Sequence, residues 1–192
     1  VKHGSGLVGA ANVSRRNFKL TVEYDGSDFH GWQRQPHART VQGELERALS
    51  RVFGKKILVN GASRTDAGVH AMNQAANFTA ETAIPEASLQ NAVNRVLPDG
   101  IAVKKLESVP VYFHARYSAK SKTYRYYIMN DAQPTAFARY WCIVREPLNI
   151  RLMKSAAKYI KGSVARVDLI SFGARPSLTT NLKNIISLTL PI

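Results

Sequence analysis

The sequence predicts an α+β fold, a mostly antiparallel sheet with helices on one side. Three observations carry this expectation. Segments alternating with period two are interspersed with segments of helical period, in the order strand, helix, strand, strand, helix, strand, strand, which is a split β-α-β plan. Hydrophobic residues make up 45% of the 192, enough to bury a core. No run of about 18 or more apolar residues occurs, so no membrane-spanning helix is predicted.

The elements follow in order. Residues 1–17 are rich in Gly, Ala, Ser and Val, carry no acid and lack apolar periodicity, and Gly4, Gly6 and Gly9 interrupt any signal-type apolar core. They are expected to be a disordered extension or an expression remnant. Lys2, Arg15 and Arg16 without acids leave an organelle-targeting remnant as the other reading. A strand is predicted over 18–24, with Leu20, Val22 and Tyr24 on one face, followed by a turn at Asp25-Gly26-Ser27 and an aromatic, polar loop over 29–36. Thr40 is a candidate N-cap. Val41, Leu45, Ala48, Leu49 and Val52 follow at helical spacing until Gly54. Strands are predicted over 57–59 and 73–79, joined by a loop over 61–71. Pro85, then Leu89, Val93, Val96 and Leu97, signal a second helix, closed by Pro98-Asp99-Gly100. Further strands are predicted over 101–109, 122–129 and 140–144. A third helix is predicted over 149–161 with Gly162 after it, and a last strand over 185–190. This divides the chain into an N-terminal half over 18–140 and a second half, 141–192, that begins a similar plan and stops.

The charge points to a class of partner. There are 27 Lys and Arg against 13 Asp and Glu, a net +14. The excess is spread over the whole chain and not gathered in a tail, which predicts a binding surface for a polyanion, nucleic acid first, with plain solubility as the alternative. Cys142 is the only cysteine, so no intrachain disulfide forms and a cysteine-based zinc site is not expected. The five histidines are scattered, and no metal is predicted.

The stretch over 61–71 carries the chemistry. Asp66 is its only acid, beside Arg64 and among small residues that let a planar ligand approach the backbone. A nearby Arg favours the ionised carboxylate, which can act as nucleophile, general base or stabiliser of positive charge at a sugar carbon. An Asp turn cap with a local Arg pair is the alternative. Residues 112–127 hold Arg116, Lys120, Lys122 and Arg125 and no acid, interleaved with Tyr112, Phe113, Tyr117, Tyr124, Tyr126 and Tyr127. This pattern suits phosphate contact with base stacking; a solvated strand edge with inward core aromatics is the alternative. Gln33 and Arg34 are candidates to line the same cleft.

Four segments then carry a resemblance. Ser-Arg-Thr-Asp-Ala-Gly-Val-His-Ala at 63–71 resembles the catalytic motif of the tRNA pseudouridine synthase A family, and Glu-Tyr-Asp-Gly-Ser-Asp-Phe-His-Gly-Trp-Gln-Arg-Gln at 23–35 resembles its opening motif. Phe-His-Ala-Arg-Tyr-Ser-Ala at 113–119 and Lys-Thr-Tyr-Arg-Tyr-Tyr-Ile at 122–128 are similar to two further family segments, in the right order.

The resemblance implies a pseudouridine synthase fold with RRM/ferredoxin-like halves. It implies an enzyme that isomerises uridine to pseudouridine in the anticodon stem-loop region of tRNA. Asp66 matches the catalytic aspartate, Tyr124 the tyrosine that packs on the target base, and Arg64 the motif arginine near Asp66 and the RNA. Gln33, Arg34, Arg116, Lys120, Lys122 and Arg125 are the expected RNA contacts. No cofactor is required. A homodimer binding tRNA and a cytoplasmic or, alternatively, mitochondrial or other organellar location are the matching expectations. The family's later segment Phe-x-x-x-Met-Val-Arg, whose arginine pairs with the aspartate, has no counterpart before Ile192. A shortened chain or the ordered part of a longer one is therefore expected. A non-catalytic RNA-binding protein or inactive fragment on the same scaffold is the alternative function. A glycosidase or nucleosidase site is disfavoured, because it needs two carboxylates about 5 Å apart and the 61–71 loop has one.

Overall fold

The computed structural model describes residues 14–133, 136, 139–160 and 187–191. The chain divides into two units, Val1–Ala119 and Lys120–Ile192.

In the first unit the chain runs β1 (Ser14–Tyr24), α1 (Val41–Phe53), β2 (Asn60–Gly61), β3 (Ala71–Thr82), α2 (Glu86–Val96) and β4 (Ile101–Val109). The strands form one sheet in the order β2-β3-β1-β4, antiparallel throughout. β1 begins at Ser14, earlier than the sequence placed it, and Asn17 is buried within it. Alternation puts Phe18, Leu20, Val22 and Tyr24 on one face, where they share a core with Ala76, Phe78 and Ala80 of β3 and Ile101, Val103 and Leu106 of β4. Phe18 and Phe78 are register partners, and their rings stack at 5.2 Å. The β1–β4 register shifts between Thr21 and Val22, which lets Val103 and Leu106 both face the core although they are three apart. Leu45, Ala48 and Leu49 of α1 and Leu89 and Val93 of α2 enter the same core, so both helices cover that face.

α1 starts and stops as its sequence specifies. The Thr40 hydroxyl accepts from Gly43 N at 3.3 Å, and Gly54 ends the helix in the left-handed region at φ 63. The strand expected over 57–59 does not form. Side chains of α1 take its backbone groups instead: Ser50 Oγ accepts from Ile57 N (2.9 Å), Glu46 Oε1 accepts from Val59 N (3.1 Å), and Gln42 Nε2 donates to Val59 O (2.8 Å). Ile57 and Val59 are still buried, so the apolar run marked the core and not a ladder.

α2 begins at Pro85 with no side-chain cap and ends before Pro98. Its Asn94 side chain donates to Val103 O (2.9 Å) and accepts from Val103 N (2.8 Å), fixing the helix to β4. At its other end Glu86 accepts from Ser108 Oγ at 2.6 Å and pairs with Arg16. The Ser108 hydrogen bond, then a bond from Glu86's own backbone and the Arg16 charge, hold the Glu86 carboxyl below the usual carboxylate range. Because the folded value is lowered, this tie is complete at neutral pH and is lost as pH falls through that lowered value.

In the second unit, β5 (Ser121–Arg125) pairs antiparallel with β8 (Ser187–Pro191), and β6 (Ile128–Asn130) pairs in parallel with β7 (Cys142–Val144). The single strand expected over 122–129 is therefore two, broken at Tyr126 and Tyr127 because the two pieces pair with different partners. Asn130 donates to Val144 O (2.8 Å) and Glu146 O (2.7 Å) and accepts from Leu148 N (3.1 Å). Asn149 Oδ1 accepts from Leu152 N at 3.0 Å at the start of α3 (Ile150–Ile160). The expected stop at Gly162 and residues 1–13 and 161–186 lie outside the described residues.

Phe78→Ala removes the ring that stacks on Phe18 and meets the edge of Phe53 at 5.9 Å. It should destabilise the first unit by about 3–5 kcal/mol, read as a lowered urea midpoint with an unchanged slope.

Candidate functional site

The connection between β2 and β3 is the motif loop that carries Asp66. It rises from paired strands: Asn60 faces Asn77, Gly61 faces Ala76, and Ala62 N donates to Ala75 O at 2.8 Å. Gln74 is buried and closes the base of the loop, donating to Ser63 O (2.6 Å) and lying 3.2 Å from Ser63 Oγ. Above this the loop leaves the ladder and leans on residues 24–32.

The contact with 24–32 is backbone against backbone. Trp32 N donates to Thr65 O at 3.0 Å, and Gly68 N donates to Phe29 O at 3.3 Å. The buried Tyr24 places its hydroxyl 2.8 Å from Thr65 Oγ1. Two glycines make the approach possible. A Cβ on Gly31, whose φ is 82, would lie 2.5 Å from Thr65 O, and one on Gly26 would lie 2.1 Å from Val69 O. Neither position accepts a side chain without moving the loop. Gly61 does the same beneath Trp32, where a Cβ would meet the indole at 2.4 Å.

Within the loop, Val69 N donates to Asp66 O at 3.2 Å, and Gly68 takes φ 78 at the third position of that turn. His70 closes the far end. Its Nδ1 lies 3.1 Å from Gly26 N and 3.0 Å from Asp25 Oδ1. A neutral ring protonated on Nε2 accepts from Gly26, and a proton on Nδ1 turns the Asp25 contact into a donated bond.

Asp66 itself is exposed, and among the described residues its carboxylate makes no hydrogen bond or ion pair. Among the described residues no ion pair joins Asp66 to Arg64. Thr65 between them turns inward to Tyr24 and Trp32, which leaves the two flanking side chains at the surface. The backbone of the loop is thus bonded at both ends while its acid is free to meet a ligand.

The other candidates belong to both units. Arg116 is exposed in a segment strapped to the outer face of the sheet by buried asparagines: Asn17 Nδ2 donates to Pro110 O (3.0 Å) and Phe113 O (2.8 Å), and Asn77 Oδ1 accepts from Ala115 N (2.9 Å). Gln33 is occupied within the fold, donating to Gln42 Oε1 at 2.9 Å. Arg34 is half exposed and pairs with Glu46. In the second unit, Lys120, Tyr124 and Arg125 are exposed and Lys122 is half-buried. Tyr124 lies on β5 opposite Leu188. Sequence reasoning missed Gly26, Gly31 and Gln74 as supports of the loop, and Asn17 and Asn77 as straps. The glycines in the opening motif were the available signal. The asparagines left none.

Among the described residues, no three His, Cys, Asp or Glu side chains are grouped to hold a metal ion, and no helix is long and apolar enough to cross a membrane.

Comparison with known proteins places these features in a family. A family model described as tRNA pseudouridine synthase matches residues 20–118. A tRNA pseudouridine synthase A of Ruminiclostridium cellulolyticum is 49% identical over 160 residues, covering 83% of this chain and 64% of the relative. One from Acetivibrio thermocellus is 47% identical over 149 residues, 77% of this chain and 61% of the relative. One from a Thermoanaerobacter species is 45% identical over 177 residues, 91% of this chain and 71% of the relative. The chain thus spans less than two thirds of the length of the first two.

Gly31→Ala should loosen the motif loop and leave the sheet intact. Amide exchange at Trp32 and Gly68 should quicken by roughly 5- to 10-fold, as expected for losing about one hydrogen bond, with protection in β1 and β3 unchanged.

Proposed function

The chain belongs to the tRNA pseudouridine synthase family, and we propose that it isomerises uridine to pseudouridine in tRNA, in the anticodon stem-loop region, with Asp66 as the catalytic carboxylate. One observation supports this most directly: the motif loop is bonded along its backbone to residues 24–32 while the Asp66 carboxylate is exposed and unpartnered among the described residues. A fixed loop with a free acid suits a group that must meet a substrate.

The reaction balances without an external reagent. The bond from N1 of the base to C1′ of the sugar breaks, the base turns, a bond forms from C5 to C1′, and the proton at C5 is released as one is taken up at N1. Asp66 attacks the sugar or the base, or assists formation of a glycal by taking a proton. Reaching that bond requires the base to leave its stack, at a cost of a few kcal/mol. Stacking on an aromatic ring offsets about 1–3 kcal/mol of this, and Tyr124 is the proposed ring. Arg64, Arg116, Lys120, Lys122 and Arg125 contact the RNA backbone in this reading, and the net +14 supports a polyanionic substrate. Gln33 keeps a supporting role through Gln42. The strand order β2-β3-β1-β4 supports a split β-α-β plan for the first unit. A homodimer in the cytoplasm completes the proposal.

The test is tritium release from tRNA labelled at C5 of uridine, using the natural full-length chain. Asp66→Asn should bind tRNA and release no tritium. Release equal to the wild type overturns the assignment, and binding without release by the wild type leaves an RNA-binding protein. Tyr124→Ala should lower the single-turnover rate by about 10- to 100-fold and Tyr124→Phe should keep most of it, since the ring and not the hydroxyl does the stacking.

A further inference from the structure

A second feature of the first unit lies on the loop that supports the Asp66 turn. Residues 30–39 form a closed loop whose ends meet through His30 N donating to Arg39 O at 2.8 Å. Beyond it an open depression of about 680 Å³ is lined by Arg34, Arg39, Arg47, His37, Thr40 and Glu44, among others.

Arg34 and Arg39 come from the 30–39 loop and Arg47 from α1, and all three are held by two acids of α1. Glu46 pairs with Arg34, and Glu44 pairs with both Arg47 and Arg39, the last at 3.6 Å. The acids are inside and the bases outside: the side chains of Glu44 and Glu46 are 8% and 10% exposed, those of Arg34, Arg39 and Arg47 51%, 44% and 73%. Arg39 also lies over the buried Phe29 ring at 4.7 Å. A guanidinium carries five N–H donors, and one carboxylate contact leaves most of them for a ligand. Three exposed guanidinium groups, each paired with a carboxylate, surround one depression, and their planar forks suit phosphate oxygens.

The start of the helix is not what recognises an anion here. Its N–H groups are already used: Val41 N donates to Gly31 O, Gln42 N to Trp32 O, and Gly43 N to Thr40 Oγ1. The arginine side chains must do the work. The depression is wide and open, with three arginines in its lining and only small apolar groups, Ala38 among them, between them. This disfavours a small enclosed anion and favours an extended polyanion lying across it.

We propose that the depression lined by Arg34, Arg39 and Arg47 docks backbone phosphates of the RNA, apart from the Asp66 loop and through the loop that supports it. The inference rests on the reading of the substrate as tRNA. Docking there sets the RNA against residues 30–39, whose Gly31 and Trp32 carry the Asp66 turn, so phosphate contacts fix the register of the target base.

Two measurements test it, both on the natural full-length chain. In the first, tRNA affinity is followed against salt. Arg34→Gln with Arg47→Gln should make the slope of log K against log salt shallower by about two, one per arginine, and weaken unrelated tRNAs alike. The second uses unaltered protein, so it does not depend on the variant folding. Labelling of arginines by phenylglyoxal, read by mass spectrometry, should be blocked at Arg34, Arg39 and Arg47 by tRNA and not by inorganic phosphate at the same phosphate concentration. Unprotected arginines, or a well-folded variant with the wild-type slope, overturn the site. Protection by inorganic phosphate alone overturns it in favour of a small-anion site. A wild-type protein with no salt-dependent tRNA binding instead overturns the RNA reading and this proposal with it. Normal wild-type binding with unprotected arginines overturns this site only.

Discussion

The approach of backbone 24–32 to backbone 65–70 is the contact on which the rest of the site depends. Two chains can come this close only where no Cβ intervenes, and Gly26 and Gly31 supply the two gaps. Once they are in contact, Trp32 and Gly68 donate across the seam and Tyr24 reaches Thr65. The turn at Asp66 then has no freedom to fold its acid back onto its own backbone, as an isolated Asp turn would. The exposure of the carboxylate is thus a consequence of how its neighbours are satisfied.

Polar side chains buried beside the core do the remaining positioning. Gln42 and Glu46 take the backbone of Val59, Gln74 takes Ser63, and Asn17 and Asn77 take the segment from Pro110 to Ala115. Each would be costly to bury alone, and among the described residues no buried side-chain donor or acceptor is left without a partner. The sheet therefore does more than hold a core. On one face it buries Phe18 and Phe78, and from its ends and its other face it holds loops. Hydrophobic packing gives no fixed direction to a loop, whereas a bonded amide does.

These two kinds of interaction explain what was legible in the sequence. Periodicity located both helices of the first unit and β4, because apolar spacing and caps such as Thr40 and Gly54 report burial and chain reversal directly. It misread 57–59, where apolar residues are buried but their backbone bonds go to helix side chains. It merged β5 and β6, because period two persists through Tyr126 while pairing does not. Asp66 was legible as the lone acid of a small-residue loop. Its supports were not, since a glycine that permits contact and an asparagine that straps a loop read as an ordinary turn residue and an ordinary polar residue until their partners are known.

An exposed carboxylate also constrains how the proposed chemistry begins. In water its charge is well solvated, and a solvated carboxylate is a weak nucleophile and base toward a sugar or a uracil ring. Nothing in the motif loop removes that water, since the residues on either side of Asp66, Thr65 and Ala67, are small and residues 66–70 are exposed. In the proposed complex the arriving base would therefore have to exclude it, so that the strength of the acid's interactions rises only there. Binding contacts far from the reacting bond then matter for the rate as well as for affinity. In the proposed reaction, phosphate contacts would hold the RNA while the base leaves its stack, and the free energy they release would offset the cost of extrusion. A fixed loop with a solvated acid and a strongly basic body fit that proposed division of labour, in which the loop sets where the chemistry occurs and the charge sets whether the base arrives.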